Sequence, residues 1–231
     1  IVRNLNKKEV QFKRNLTDVP LVKKQTKLLS NGYKLEIYKL VDGFYSGINE
    51  YKSGSGYIDF DRQNFIVLSS RGIIAFSNKF EKNLILSQIK NNINEFIDLK
   101  QFNKFDNRWH LLKAWYSVKD LKIIDNKIFV SYTEEIKNNC WNTSLLMAQM
   151  NYENIQFKKL FSPGECINRY NKPLNDYSAH GSGGRIISFD KDNILFSVGE
   201  YKRKSIAQDK NSINGKLLKI NINNGNYSIL S

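Results

Sequence analysis

Residues 119–131 read Lys119-Asp-Leu-Lys-Ile-Ile-Asp-Asn-Lys-Ile-Phe-Val-Ser131, and two other stretches of the chain repeat this pattern. They are Gly56-Tyr-Ile-Asp-Phe-Asp-Arg-Gln-Asn-Phe-Ile-Val-Leu-Ser69 and Gly184-Arg-Ile-Ile-Ser-Phe-Asp-Lys-Asp-Asn-Ile-Leu-Phe-Ser197. Each copy has an apolar segment, a short turn rich in Asp and Asn, and a second apolar segment that ends in serine. Apolar segments joined by such turns are typical of β-hairpins. The sequence therefore predicts three hairpins.

Further strand segments follow each hairpin, so the repeating unit is larger than two strands. A hairpin followed by two more strands is the unit of a β-propeller blade. The copies recur at intervals longer than the ~40–50 residues of the common propeller repeats, which indicates long loops. The sequence predicts an all-β fold, a β-propeller of four-stranded antiparallel blades, with turns at 61–64, 125–126 and 190–193.

About three blades fit into the 231 residues. A closed propeller has at least about four blades, and an open arc would expose apolar sheet faces and strand edges. We therefore expect a segment of a longer chain, with the remaining blades as its partners. Residues 1–50 are expected to be a lead-in with a strand hairpin, and residues 51–231 a partial propeller of the same domain. A short helix is expected at 87–97, where apolar residues recur at helical spacing.

The formal net charge of +14 would suit a nucleic-acid ligand. The lysines are scattered, however, with no run of lysine longer than two and no basic stripe at helical spacing. We predict no nucleic-acid partner, and a surface that attracts anionic small molecules or lipid headgroups stays an alternative to a generic solvated surface. No apolar run approaches the ~18 residues of a membrane span, so no transmembrane segment is predicted.

The chain has two cysteines, Cys140 and Cys166, on either side of a stretch that contains Pro163. They are either two separate buried thiols or one disulfide that closes a long loop. A disulfide requires an oxidising compartment, and we predict both the bond and a periplasmic or secreted location. The sequence has no Cys/His pair at metal-ligand spacing, so no metal ligands are predicted.

The third copy is preceded by the glycine-dense loop Tyr177-Ser-Ala-His180-Gly-Ser-Gly-Gly-Arg185. Loops that enter the innermost strands of a propeller meet around its central channel. Glycine lets a backbone approach a ligand closely, and histidine can accept a proton near neutral pH. A lone loop histidine is more often an incidental surface residue, so His180 is a candidate that needs further support. The other histidine, His110, is interpreted as structural.

Three short motifs in the last third of the chain supply that support. They are the His180 loop with its Gly-Gly-Arg, then Leu195-Phe-Ser-Val-Gly-Glu200, then Ala207-Gln-Asp-Lys-Asn-Ser-Ile-Asn-Gly215-Lys. In this order they resemble the glucose/sorbosone dehydrogenase family, soluble quinoproteins that oxidise aldose sugars with pyrroloquinoline quinone. The resemblance covers about residues 179–220, and it implies the N-terminal half of a six-bladed propeller.

The resemblance implies roles for individual residues. His180 would be the general base that takes the proton of the sugar C1 hydroxyl while hydride passes to the quinone. Glu200 would orient this base or bind sugar hydroxyls, and Ser55 and Gly181 would line the substrate cavity.

Some positions depart from the family pattern. Some family members have an acidic residue where this chain has Ala179, and the quinone-binding residues and calcium ligands are expected beyond Ser231. The cofactors implied are pyrroloquinoline quinone and calcium, with no calcium ligand in this chain. Two functions stay open: an aldose-oxidising quinoprotein, or a non-catalytic propeller that acts as an extracellular or periplasmic binding module.

Overall fold

The computed structural model describes residues 19–20, 22–39, 56–62, 64–70, 72–80, 83–97, 115–170 and 177–230. Within these ranges the chain is almost entirely β-sheet. The helices found there are the 3-10 helices Ile93–Glu95 and Ala179–Gly181 and the single-turn α-helix α1, Lys204–Ala207. None of the described helices has the length and apolar character needed to cross a membrane.

The strands of the described ranges are numbered here in chain order. They are β1 Val19–Pro20, β2 Val22–Leu28, β3 Lys34–Lys39, β4 Gly56–Asp61, β5 Asn64–Ser69, β6 Ile74–Phe80, β7 Asn83–Asn91, β8 Val118–Ile124, β9 Lys127–Lys137, β10 Cys140–Gln149, β11 Asn154–Ile155, β12 Lys158–Phe161, β13 Ile167–Asn168, β14 Gly183–Ser188, β15 Asn193–Val198, β16 Lys216–Asn221 and β17 Tyr227–Ile229.

Three antiparallel four-stranded units account for most of the strands. The first blade is β4-β5-β6-β7, the second β8-β9-β10-β12 and the third β14-β15-β16-β17, each running from its first strand outward. The three predicted hairpins, β4–β5, β8–β9 and β14–β15, are confirmed. The first strands of successive blades contact one another, β4 with β8 and β8 with β14. The blades therefore lie side by side, with their first strands innermost.

The middle blade is covered on both faces, which explains why β9 is a continuous apolar run. Successive side chains of a strand point to opposite faces. Ile128 and Val130 of β9 pack into a core shared with the first blade. Phe129, between them, packs with Phe196 into a core shared with the third blade. In β15, by contrast, buried and half-buried residues alternate, since only one face of the third blade is covered by described residues.

The helix expected at 87–97 is wrong for most of its length. Residues up to Asn91 belong to β7, which pairs with β6 as far as Ile74 and Ile89, and only one 3-10 turn follows. Ile89 and Ile93 are both fully buried. The two isoleucines are four residues apart because one is buried in a strand and the other in the following turn. They do not form the apolar face of a helix.

The region expected to be a lead-in with a strand hairpin contains one hairpin among its described residues. Residues 22–28 form β2 and pair with β3 through a turn at 29–33. Asp42-Gly43, a dipeptide typical of a hairpin turn, follows β3 in the sequence and lies outside the described residues. β1 pairs with the outer strand of the first blade, at Val19 with Leu86.

Cys140 and Cys166 are joined by a disulfide with their Cα atoms 5.3 Å apart. The bond lies where β13 pairs with the start of β10, with Cys140 opposite Asn168. It therefore fastens the segment after β12 to the second blade. The oxidising compartment stays a prediction.

Candidate functional site

The 3-10 helix Ala179–Gly181 leads directly into β14, the innermost strand of the third blade. Ala179 is fully buried, whereas His180 is exposed. The turn is fixed by two backbone hydrogen bonds: the N–H of Gly181 donates to Ser178 O at 3.1 Å, and the N–H of Ser178 donates to Tyr201 O at 3.0 Å. The imidazole is thus presented to solvent from an anchored backbone.

The loop that carries Glu200 runs beside the His180 turn. The N–H of Gly199 donates to Ser182 O at 2.8 Å, and the N–H of Tyr201 donates to Gly181 O at 3.1 Å. A Cβ atom on Gly199 would lie 1.9 Å from Gly181 O, so only glycine permits this approach. The glycine of the Gly-Glu motif is therefore a packing requirement of the His180 turn.

Glu200 is half-buried, and its Oε1 would lie 3.7 Å from a Cβ built on Gly181. The structure thus brings Glu200 and Gly181 together at one side of the turn. Within the described residues, no hydrogen bond joins Glu200 to the imidazole of His180. The roles of these residues stay proposals, and Ser55 and His110 lie outside the described residues.

The Ala-Gln-Asp and Gly-Lys motifs contact each other. Gly215 has a φ of +75°, and a Cβ at this position would lie 2.6 Å from the Cβ of Ala207. The Lys216 ammonium donates to Ala207 O. Asp209 accepts a hydrogen bond from the N–H of Asn211 at 2.9 Å. These motif residues hold the loop between β15 and β16 in place.

The second blade contributes Lys119 to the site, a residue that the sequence analysis did not single out. Its Nζ donates to Ala179 O at 3.3 Å. Gly184, with a φ of +102°, allows the contact, since a Cβ there would lie 2.5 Å from the Cβ of Lys119. A signal was present: the repeat copies begin at Gly56, Lys119 and Gly184, so the lysine replaces a glycine at the start of an innermost strand.

The electrostatic surroundings favour a neutral imidazole. Partial burial, then the positive charges of Lys119 and Lys202, lower the pKa of His180. Burial lowers the pKa of Lys119 itself to about 7. A histidine that is neutral at physiological pH and exposed to solvent can accept a proton from a bound ligand.

Aromatic rings form one wall beside His180. The indole of Trp115 meets the imidazole edge-to-face, with 5.9 Å between ring centroids, and meets Tyr177 at 5.5 Å. The guanidinium carbon of Arg169 lies 5.8 Å from the centroid of the Trp115 ring. Neither Trp115 nor Arg169 was identified from the sequence. The two residues lie far apart in the chain, and no local sequence signal indicates that they become neighbours in the fold.

No metal site is apparent in the described part of the chain. Its His, Cys, Asp and Glu side chains form no group of three or more that could hold an ion. Calcium ligands therefore have no candidates here, and the calcium stays an expectation derived from the resemblance.

Comparison with solved structures supports the propeller fold. The soluble aldose sugar dehydrogenase of Escherichia coli in its apo-form matches with a TM-score of 0.53 and 13% identity, over 72% of this chain and 43% of that chain. A glucose dehydrogenase matches with a TM-score of 0.53 and 12% identity, over 74% of this chain and 44% of that chain. The chain thus has the blade architecture of the dehydrogenase propellers that its motifs resemble, and it spans less than half of their length.

At such low identity these similarities establish the fold alone. The PQQ-bound aldose sugar dehydrogenase of Streptomyces coelicolor matches at 12% identity, over 77% of this chain and 46% of that chain, with a TM-score of 0.47. No protein-family model matches the sequence. No curated protein sequence matches it either.

Proposed function

We propose that the chain is part of a quinoprotein oxidoreductase that oxidises an aldose sugar at C1 with pyrroloquinoline quinone. The observation that carries the proposal is His180, a solvent-exposed histidine of lowered pKa on a rigid turn at the entrance to an innermost propeller strand. The dehydrogenase fold and the sequence motifs around this turn support the same assignment. A periplasmic or secreted location is part of the proposal, as is association with the remaining blades.

His180 acts as the general base in this proposal. Oxidation of the C1 hydroxyl removes one proton from oxygen and one hydride from carbon, which leaves a carbonyl group. An alcohol is a poor hydride donor until its proton is being removed, so a neutral imidazole within hydrogen-bond reach of the hydroxyl promotes the step. Glu200, on the adjacent loop, is proposed to bind a sugar hydroxyl on the Gly181 side of the turn.

The charge of the site fits the proposed cofactor. Pyrroloquinoline quinone is a tricarboxylate that accepts the hydride when bound. Lys119 and Lys202 place positive charge beside His180 and would balance part of that negative charge. Further residues that hold the cofactor, and the calcium ligands, are expected beyond Ser231.

Substitution of His180 tests this proposal in the intact protein. His180→Ala is expected to lower quinone-dependent aldose oxidation by ~10²–10⁴ without loss of folding, since an exposed proton acceptor is removed. Lys191→Ala, an exposed change in the β14–β15 turn, is the matched control and should leave the rate unchanged. The alternative, a non-catalytic binding module, predicts no quinone-dependent oxidation with or without His180.

A further inference from the structure

Arg169 is a cation without an acidic partner among the described residues. Arg169 follows β13, and its backbone N–H donates a hydrogen bond to Asn139 O at 2.9 Å. Its guanidinium lies over three aromatic rings, those of Trp115, Tyr116 and Tyr170, at 5.8, 5.9 and 5.3 Å. The hydrogen bond of the guanidinium within the described chain goes to the hydroxyl of Tyr116, at 3.1 Å.

Within the described part of the chain, this arrangement leaves most of the binding capacity of Arg169 unused. A guanidinium has five N–H donors in a planar fork that matches a carboxylate. Partial burial of such a cation costs solvation energy, which proteins ordinarily offset with an acidic group. Here the neighbours are aromatic faces, which hold the fork in one orientation without neutralising it.

Trp115 connects this cation to the proposed base. One indole contacts both the Arg169 guanidinium, at 5.8 Å, and the His180 imidazole, at 5.9 Å. Tyr170, which also contacts the guanidinium, is 64% exposed, and Trp115 is half-buried, so part of each ring reaches solvent. Small-molecule sites combine apolar and aromatic side chains with a few fixed polar groups that set the orientation of the ligand.

The charges near His180 are predominantly positive. Lys119 and Lys202 act on the imidazole, and Arg169 lies across the indole, whereas Glu200 is the carboxylate that the structure places beside the turn. A ligand with a negative group gains from this field, and a neutral ligand does not.

We propose that the His180 site takes a sugar acid, a hexuronate, whose carboxylate contacts Arg169 while its ring packs on Trp115 and its C1 end lies towards His180. This inference rests on the proposed function and specifies its substrate class. The carboxylate supplies the acidic partner that Arg169 lacks among the residues the structure describes. In a hexuronate this carboxylate and the reacting C1 carbon lie at opposite ends of the sugar.

Binding to the intact protein, measured by calorimetry without quinone, tests the inference. D-Glucuronate is expected to bind roughly tenfold or more tightly than D-glucose at low salt, because its carboxylate accepts charge-assisted hydrogen bonds from the guanidinium. Arg169→Gln should remove this preference. Lys191→Gln, the same change of charge at an exposed turn, should retain it. Equal affinities for the two sugars, or an unchanged preference in Arg169→Gln, would overturn the inference.

If Arg169→Gln folds poorly, two further measurements can still test whether Arg169 recognises the carboxylate. In the wild-type protein, the preference for glucuronate should shrink as salt rises, because screening weakens charge recognition. Arg169→Lys keeps the charge and loses the fork, so it should retain only part of the preference. A salt-independent preference would contradict recognition by Arg169.

Failure of this inference can be told from failure of the proposed function. Oxidation of neutral aldoses that needs His180, with no preference for glucuronate, would overturn the inference and leave the proposed function standing. Glucuronate binding through Arg169 with no quinone-dependent oxidation of any sugar would overturn the proposed function and the catalytic part of the inference. If added quinone displaces glucuronate, the sugar acid occupies the place of the cofactor and the inference is wrong.

Discussion

The carboxylate of Asp120 accepts a hydrogen bond of 2.8 Å from the backbone N–H of Ile186. Asp120 lies on the innermost strand of the second blade, and Ile186 lies on the innermost strand of the third blade. The other carboxylate oxygen of Asp120 contacts the Arg185 guanidinium at 3.1 Å. The first junction uses the same device: Asp59 accepts from the N–H of Ile123 at 2.6 Å and pairs with Lys122. Innermost strands of neighbouring blades do not pair as a sheet, so these aspartates satisfy N–H groups that would otherwise lack partners.

Asp120→Ala is expected to lower the free energy of unfolding by about 1–3 kcal/mol, because the Ile186 N–H loses a charged acceptor in a buried place. Arg185→Gln should cost less than about 1 kcal/mol, since its side chain is 70% exposed and exposed ion pairs contribute little. Urea unfolding of the intact protein measures both. Equal losses would indicate that the ion pair, and not the backbone contact, joins the blades.

The hairpins could be predicted from the sequence because their signals are local. The turn residues Asp125 and Asn126 have φ values of +47° and +61°, a conformation that Asn and Asp adopt more readily than most residues. The motif around His180 was also visible as a string of residues. Contacts between blades were not, since Lys119 reaches Ala179 only after two repeats are stacked. When a site is built from residues of several blades, a single sequence therefore reveals only those of its residues that lie in a local motif.

The disulfide between Cys140 and Cys166 is expected to stabilise the protein and to position Arg169, which lies three residues after the second cysteine. Cys140→Ser with Cys166→Ser should cost about 3 kcal/mol by the chain-entropy estimate for a loop of this size. Mass spectrometry of non-reduced peptides checks the bond. The same double variant should bind glucuronate more weakly, and a free thiol at either position in protein from its native compartment would contradict the predicted location.

Apolar side chains are exposed on the innermost strand of the first blade. Others are exposed at the end of the innermost strand of the third blade. Ile58 and Phe60 of β4 are 59% and 65% exposed, and Ile187 and Phe189 of the third blade are 51% and 52% exposed. We expect further blades to cover these residues, so the 231 residues alone should bind hydrophobic dyes and unfold over a broad range. A longer gene product should bind less dye and unfold cooperatively. A sharp, monomeric transition of the 231 residues with no dye binding would show that no further blade is needed.

Lys119→Met tests whether a residue of the second blade lowers the pKa of His180, the proposed base. The positive charge of Lys119 disfavours the protonated imidazole, so its removal should raise the pKa of His180 towards its usual value. Burial and Lys202 still act in the variant, so part of the lowering should persist. Nuclear magnetic resonance titration of the imidazole protons measures the shift directly. In kcat/KM for sugar oxidation, the limb that reports neutral His180 should move to higher pH by the same amount.

A structural role of Lys119 predicts a different result. Its Nζ donates to Ala179 O, so loss of that contact alone would lower activity at every pH without moving the limb. Lys191→Met, the matched change in an exposed turn, should leave the pKa of His180 where it is. An unchanged pKa in Lys119→Met would mean that burial and Lys202 set the protonation of His180, and that Lys119 serves only to hold the turn.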